Sequence, residues 1–181
     1  IQPGEFLMGS TESPEELAHH FDQEPDDFED EYPLHKVKIT RGFWMGKYPV
    51  TQAQWQVIVN DNPSYFREGV SGAKYDTSNH PVEKVSWYDF QAFLKKLSQS
   101  TGQTFRLPTE AEWEFACRAG SRTHFYWGSN FDEDIMRQFA WYDDNTNNHC
   151  WSEPHAEYEG TQAVGQKQPN AWGLYDMCVF R

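Results

Sequence analysis

The chain has 181 residues, the usual size of one domain, and 17% of them are aromatic. That content of large apolar side chains excludes a disordered chain and predicts a packed core. No apolar run approaches the roughly 20 residues that cross a bilayer, so we expect no membrane span. The net charge of −13, with no basic run longer than Lys95 and Lys96, excludes nucleic acid as a partner. We expect a single domain over residues 1–181.

The acidity is concentrated near the N-terminus, where the segment from Thr11 to Tyr32 holds ten acids and no Lys or Arg. A block of like charges repels itself and is typical of a solvated loop. We therefore predict an acidic loop over residues 11–32, with a cation-binding or partner-docking loop as the alternative. The acids are Glu12, Glu15, Glu16, Asp22, Glu24, Asp26, Asp27, Glu29, Asp30 and Glu31.

Two short strands are predicted on either side of this segment. The apolar run at residues 6–8 is ended by Gly9 and Ser10, which are typical strand-ending residues. Residues 36–40 alternate polar and apolar side chains at period two, which indicates a half-buried strand. The apolar residues within 42–48 predict a fully buried stretch directly after it.

Three helices are predicted from N-cap residues that precede helical apolar spacing. The hydroxyls of Thr51, Ser86 and Thr109 can each accept a hydrogen bond from a free backbone N–H of the first turn. Asp89 and Glu112 stand three residues after the second and third caps, as in a capping box. The predicted helices cover Thr51–Asn60, Ser86–Gln99 and Thr109–Ala119.

The pattern changes after Gly120 to aromatic residues, Gly, Asn and Asp without sustained periodicity. Aromatic runs at 125–128 and 171–175 are bounded by glycine and predict buried irregular loops or short strands. Long irregular segments are uncommon in compact domains, so we expect bound metal or dense aromatic packing to hold them. The whole pattern predicts an α+β domain with a coil-rich C-terminal half.

Three cysteines, Cys117, Cys150 and Cys178, lie 33 and 28 residues apart. This spacing excludes a disulfide framework and a zinc site built from closely spaced pairs. Cys117 lies in the third predicted helix and is expected to be a small core residue. Cys150 follows His149, so one interpretation is a nucleophile beside its base, although sequence neighbours rarely form such a pair in space.

Six motifs follow one another along nearly the whole chain: PGEFLMGS, KYPVTQAQW, HPVEKVSWYD, RLPTEAEWEFACRAG, FAWYDDN and VGQKQPNAWGLYDM. Together they closely resemble the formylglycine-generating enzyme, or sulfatase-modifying factor, family. The resemblance implies an irregular C-type-lectin-like fold. The wording of the last motif resembles bacterial more than vertebrate members.

Authentic enzymes of that family oxidise a cysteine of sulfatases to formylglycine, with copper held by two cysteines. Those cysteines follow a GNVWEW-type segment after the GLYDM motif, whereas here Met177 is followed by Cys178 and then Val179. Cu(I) favours two soft thiolates held close together, so we expect neither copper nor a catalytic residue in this chain. The resemblance thus implies a domain that lacks the family's C-terminal segment.

The resemblance also implies a calcium site in the loop after the FAWY-like motif. Its candidate ligands are Asp143, Asp144 and Asn145, in a loop that continues with Asn147 and Asn148. Ca²⁺ takes six to eight oxygen ligands, which this loop is rich in, although the spacing is not that of an EF-hand. An ordinary Asx-rich turn is the alternative interpretation.

Two functions stay open at this point. A domain without the cysteine pair resembles the family's receptor-like and variable-display relatives, which favours a ligand- or protein-binding accessory module. The alternative is a fragment of a copper-dependent formylglycine-generating oxidase that acts on a sulfatase cysteine. The sequence identifies neither the ligand nor the compartment, and it leaves open whether the protein is an enzyme.

Overall fold

The computed structural model describes residues 1–21, 23–69, 76–129, 132–142, 145–146 and 160–178. These residues form a mixed, coil-rich structure with helices and one small sheet, which confirms the predicted α+β class. No helix in this part of the chain is both long and apolar enough to cross a membrane. The elements are β1 (Gly4–Met8), α1 (Pro14–Phe21), a 3₁₀ helix (Pro25–Glu31), β2 (His35–Ile39), α2 (Gln52–Val59), α3 (Trp87–Thr101), α4 (Glu110–Arg118) and α5 (Glu133–Phe139).

The chain divides into two compact units. Unit 1 comprises Ile1–Met45 and Pro108–Gly128, and unit 2 comprises Gly46–Leu107 and Ser129–Arg181. The single domain expected over residues 1–181 stays a prediction.

The sheet of unit 1 consists of the two predicted strands. β1 and β2 pair antiparallel, with Phe6 opposite Val37 and Gly4 opposite Ile39. α4 covers this sheet, because the ring of Phe115 lies 5.2 Å from the ring of Phe6. A Cβ atom at Gly4 would lie 2.9 Å from the same Phe115 ring, so glycine lets the helix approach closely.

The acidic segment is not the loop that we expected, since it forms α1 and the 3₁₀ helix. Leu17 and Ala18 are buried on α1, and the ring of Phe21 stacks on Phe28 at 5.7 Å. The first turn of α1 is also capped, because Ser13 Oγ accepts a hydrogen bond from the N–H of Glu16. Charge density alone predicted a loop, but these apolar side chains give the segment one face to bury while most of its described acids stay exposed.

The stretch at 42–48 is not fully buried, so that expectation was wrong. Phe43 and Met45 are partly buried, whereas Trp44 between them is 100% exposed. Backbone bonds between Phe43 and Ile1, at 2.8 and 3.1 Å, hold this part extended. Side chains alternate along an extended chain, which explains why the middle residue of an apolar run faces water.

The core of unit 2 forms where α2 packs against α3. The ring of Trp55, which is 2% exposed, stacks on Phe93 at 4.8 Å and lies 5.8 Å from Phe90. Burying such aromatic side chains contributes a few kcal/mol each. This core holds the N-terminal ends of α2 and α3 in place.

All three predicted N-caps are confirmed. Thr51, Ser86 and Thr109 each accept a backbone N–H three residues on, and each belongs to a complete capping box. α3 ends at Thr101, two residues beyond the predicted end. The short helix α5 was not predicted. In the described residues after Phe139 no further helix or strand occurs, in agreement with the coil-rich C-terminal half.

Candidate functional site

The predicted calcium loop is only partly within the described residues. Asp143 and Asp144 lie outside them, as do Asn147, Asn148, His149 and Cys150. Asn145 Oδ1 accepts the N–H of Tyr142 at 2.9 Å, and its Nδ2 donates to the carbonyl of Ala140 at 2.9 Å. The Asn145 side chain therefore closes a turn, as the alternative interpretation requires, while the calcium prediction depends on the two aspartates.

A buried carboxyl lies at the end of the last motif. Asp176 Oδ2 accepts the N–H of Gly165 at 2.7 Å, whereas Oδ1 is shielded from water and has no partner among the described residues. Burial raises the pKa of Asp176, and the bond from Gly165 and the charge of Lys167 act in the opposite direction. An unpaired carboxyl oxygen at such a place can accept from a ligand or bind a cation.

Lys167 lies beside this carboxyl and on an aromatic face. Its Nζ is 3.6 Å from the centre of the Trp141 ring, and it donates to the carbonyl of Arg137 at 2.5 Å. Burial lowers the pKa of Lys167, and the positive charge of Arg137 lowers it further. This arrangement fastens the 160–178 segment to α5 by a cation–π contact and a hydrogen bond.

A buried amide organises the other polar region of unit 2. Gln52, the first residue of α2, is 1% exposed. Its Nε2 donates to the carbonyl of Phe66 at 2.9 Å, and its Oε1 accepts from Asn62 Nδ2 and Thr77 Oγ1, both at 3.0 Å. Each of these groups is thereby paired inside the protein, which offsets the cost of removing them from water.

The segment 61–69, which we call the 61–69 loop, is held by this network and by two further side chains. Ser64 Oγ accepts the N–H of Glu83 at 3.2 Å. The carboxylate of Glu83 in turn accepts the N–H of Phe66 at 2.8 Å. Hydrogen bonds therefore bind the loop at every second residue, at Asn62, Ser64 and Phe66, and hold its backbone in place.

His80 belongs to the same region and is buried. Its Nδ1 lies 3.2 Å from the hydroxyl of Thr161, and its carbonyl accepts the N–H of Gln52 at 2.9 Å. Burial lowers the pKa of His80, so its imidazole is neutral at pH 7. This histidine joins the 160–178 segment to α2, and its neutral ring suits a structural contact.

Two large aromatic side chains stand exposed at the start of α3. Trp87 is 61% exposed and Tyr88 is 78% exposed, and their rings meet edge to face at 5.2 Å. The capping box fixes this turn, because Asp89 Oδ2 accepts the N–H of Ser86 at 2.9 Å and the hydroxyl at 2.6 Å. These hydrogen bonds lower the pKa of Asp89 and keep it ionised at the positive end of the helix.

The cysteines give no assembled metal centre in the described part of the chain. Cys117 and Cys178 are both partly buried, so Cys117 is less buried than expected. Within those residues no three His, Cys, Asp or Glu side chains come together as a metal-binding group.

Sequence reasoning missed Gln52, Asp176 and the exposed pair at Trp87 and Tyr88. All four lie inside the six motifs, but no feature of the local sequence distinguishes a buried glutamine from an exposed one. Gln52 follows a capping threonine, which indicates its position in the helix and not its partners. Asp176 follows an apolar, glycine-bounded run, and that setting is the one signal that pointed to a buried acid.

Comparison with known proteins agrees with this architecture. The model of the sulfatase-modifying factor enzyme 1-like domain matches residues 1–178. Chaperone protein LppX of Paenibacillus barcinonensis is 30% identical over 176 residues, covering 75% of this chain and 58% of that protein. The formylglycine-generating enzyme of Thermomonospora curvata is 33% identical over 129 residues, covering 71% of this chain and 40% of that enzyme.

A solved structure supports the same fold. PvdO from Pseudomonas aeruginosa aligns with a TM-score of 0.67 at 27% identity, over 98% of this chain and 65% of PvdO. This chain spans only 58% of the length of LppX and 40% of the length of the Thermomonospora enzyme. With the family model extending over residues 1–178, the chain belongs to the sulfatase-modifying factor enzyme 1-like family, whose C-type-lectin-like fold it shares.

Proposed function

We propose that this chain is a binding or accessory member of its family that holds another polypeptide, and not an oxidase. The observation that carries the proposal is the exposed aromatic pair of Trp87 and Tyr88. Trp and Tyr are enriched among the residues that contribute most to protein interfaces. The same unit buries Trp55 almost completely, so its core is large enough for a tryptophan. The exposure of Trp87 therefore results from its position in the fold.

The setting of the pair suits recognition of a partner. The capping box fixes the first turn of α3, so the pair is presented on a rigid element and little backbone entropy is lost on binding. The edge-to-face contact further limits the motion of both rings. Each ring also has a polar atom, which allows a hydrogen bond to a partner's backbone.

The comparison with LppX supports the choice of a polypeptide as the partner. That relative is named a chaperone protein, and chaperones bind other polypeptides. The cysteine spacing supports the lack of oxidase chemistry, since Cu(I) favours two adjacent thiolates and the three cysteines here are 33 and 28 residues apart. A polypeptide-binding role requires none of them.

Site-specific crosslinking tests this proposal in the cells that make the protein. A photoreactive phenylalanine analogue replaces Tyr88, and the crosslinked polypeptide is identified and then purified. Its affinity for the unmodified protein is compared with that for Trp87→Ala and Tyr88→Ala, each expected to weaken binding at least about tenfold. Trp44→Ala is the matched control, because Trp44 is fully exposed but lies in unit 1.

Unchanged affinity of Trp87→Ala and Tyr88→Ala contradicts the proposal. The absence of any polypeptide crosslinked at position 88 contradicts it as well. Equal loss of affinity in Trp44→Ala would show a general aromatic effect and would also count against the assigned surface.

The second candidate function is the formylglycine-generating oxidase. One specific observation favours it, the identity of 33% over 129 residues with an enzyme of that name. Oxidation of a sulfatase-type peptide by the protein would establish it.

A further inference from the structure

We infer that Arg67, on the 61–69 loop of unit 2, is the anchor of an oxyanion-binding site that takes a carboxylate or phosphate group of a ligand. The site is separate from the Trp87 and Tyr88 pair and does not depend on the function proposed above. Its basis is a guanidinium that is partly buried and has no counterion among the described residues.

The Nε atom of Arg67 is shielded from water and has no hydrogen-bond partner among the described residues. The atom belongs to a guanidinium, which has five N–H donors and no acceptor. Leaving a buried donor of a charged group unpaired is costly, because the hydrogen bonds that it made to water are not replaced. Buried polar atoms are paired in the great majority of cases, and a ligand that binds from outside is one way to satisfy an exception.

Neither Glu83, which binds the loop, nor Glu68, which lies in it, supplies that partner. The carboxylate of Glu83 is already engaged by the N–H of Phe66 at 2.8 Å. Glu68 follows Arg67 directly, but Arg67 makes no ion pair with Glu68 or with any other described residue. The positive charge at this point of a chain with net charge −13 is therefore not neutralised by those residues.

The loop around Arg67 is fixed in advance of binding. Side chains of Gln52, Ser64 and Glu83 hold its backbone through Phe66 and its neighbours. The N–H of Arg67 also donates to the carbonyl of Tyr65 at 2.9 Å, which closes a three-residue turn. A rigid setting lowers the entropy cost of binding, and the planar guanidinium can then bind two oxygens of one oxyanion.

Tyr65 supplies the second feature of the site. It is the first residue of this turn, and its side chain is half exposed, with its ring edge to face with Phe66 at 5.1 Å. Its phenol can donate a hydrogen bond to the same oxyanion or cover the apolar part of the ligand. The two residues thus offer one charged and one amphipathic group on a single tight turn.

Nuclear magnetic resonance of the arginine Nε–Hε group reads the proposed contact directly. The full chain is labelled with ¹⁵N, and the Arg67 resonance is identified by its loss in Arg67→Gln. Sodium phosphate and sodium acetate are the two probes, each added at constant ionic strength against sodium chloride. We expect the Arg67 resonance to shift and saturate with a Kd below about 10 mM for at least one probe.

The two probes separate the sources of the oxyanion. Saturation by phosphate alone assigns a phosphate-bearing ligand, saturation by acetate alone assigns a carboxylate, and both support the site. Arg67→Lys keeps the charge but loses the bidentate fork, so it should weaken binding about tenfold. Arg41→Gln is the matched control, because Arg41 is an exposed arginine of unit 1 and its loss should leave the titration unchanged.

Two results would overturn the inference. One is an Arg67 resonance that follows sodium chloride and shows no saturation with either probe. The other is unchanged binding of the probes in Arg67→Gln, judged from backbone resonances. If Arg67→Gln does not fold, the comparison of probe binding between the wild-type protein and Arg67→Lys still tests the site.

Discussion

The guanidinium of Arg118 contacts the carboxylate of Glu114 at 2.7 Å, and the two side chains together bind the backbone of Gly9. Glu114 accepts the N–H of Gly9 at 3.0 Å, and Arg118 donates to its carbonyl at 3.0 Å. Gly9 has a φ of +88°, and a Cβ there would lie 2.5 Å from the carbonyl oxygen of Glu31. This pair therefore fastens the end of β1 to α4 at a point where only glycine fits.

Arg118→Ala should destabilise the protein by about 2–3 kcal/mol. The change removes three hydrogen bonds and leaves the mostly buried carboxylate of Glu114 without its counterion. Urea unfolding followed by circular dichroism measures the effect. Arg122→Ala is the control, since Arg122 is exposed on the loop after α4. Equal midpoints for the two variants would show that the Arg118 contacts contribute nothing.

Glu31→Gln should stabilise the protein at pH 7. Burial raises the pKa of Glu31, and the negative charge of Glu114 raises it further, against a smaller opposite effect of Arg118. The pKa of Glu31 is therefore higher in the folded state than in the unfolded state. At pH values between these two pKa values the folded state binds more protons than the unfolded state, so the free energy of unfolding falls as pH rises through that range.

Because the Glu31 side chain keeps contact with water, we expect a rise in Tm of only about 1–3 °C at pH 7. The difference between variant and wild type should shrink toward pH 4, where Glu31 is protonated. Thermal scans from pH 4 to 8 measure it, with Glu29→Gln as the exposed control on the same 3₁₀ helix. A stabilisation that stayed constant with pH would mean that the Glu31 charge is not its cause.

Gln52→Met should cost about 3 kcal/mol, although the two side chains are similar in size. The change leaves the Thr77 hydroxyl, the Asn62 amide and the Phe66 carbonyl without their partner. Chemical unfolding of the variant measures the loss. Gln56→Met is the matched control on the exposed side of α2. A Gln52→Met protein as stable as the control would show that the network is dispensable.

The helix starts were predictable because a capping box is a local device. Ser86 and Asp89 stand three residues apart, and the hydrogen bonds between them need no distant partner. The acidic segment was misjudged for the opposite reason. Whether Leu17 and Phe21 find a surface to pack on depends on residues such as Phe125, more than 100 positions away.

The candidate site also contains some features that local sequence predicts and others that depend on distant residues. The turn role of Asn145 was among the sequence interpretations, since an Asx side chain binds backbone groups close to it in sequence. The burial of Gln52 and the unpaired Nε of Arg67 were not predictable, because they depend on where Thr77 and Glu83 lie in space. Long-range packing decides which polar groups are satisfied.

Calcium should raise the Tm of the protein through the loop that contains Asp143 and Asp144. A ligand that binds only the folded state stabilises it, by about 2.7 kcal/mol at a concentration 100 times its Kd. Thermal scans with millimolar calcium, and then with excess chelator, measure the effect. Asp143→Asn combined with Asp144→Asn should abolish it, whereas Asp61→Asn, an exposed acid, should not. A Tm that calcium and chelator leave unchanged would remove the predicted site.

Oxidation of a sulfatase-type peptide distinguishes a binding module from an oxidase. A peptide with the sequence Cys-x-Pro-x-Arg is incubated with the complete protein, copper and oxygen, and its mass is followed. An authentic oxidase of the family is the positive control, and a Cu(I) titration of the protein runs in parallel. Because Cu(I) favours two close thiolates, we predict an unchanged peptide mass and no tight one-to-one copper binding. Loss of mass at the peptide cysteine together with tight one-to-one copper binding would contradict the proposed binding role and establish the oxidase.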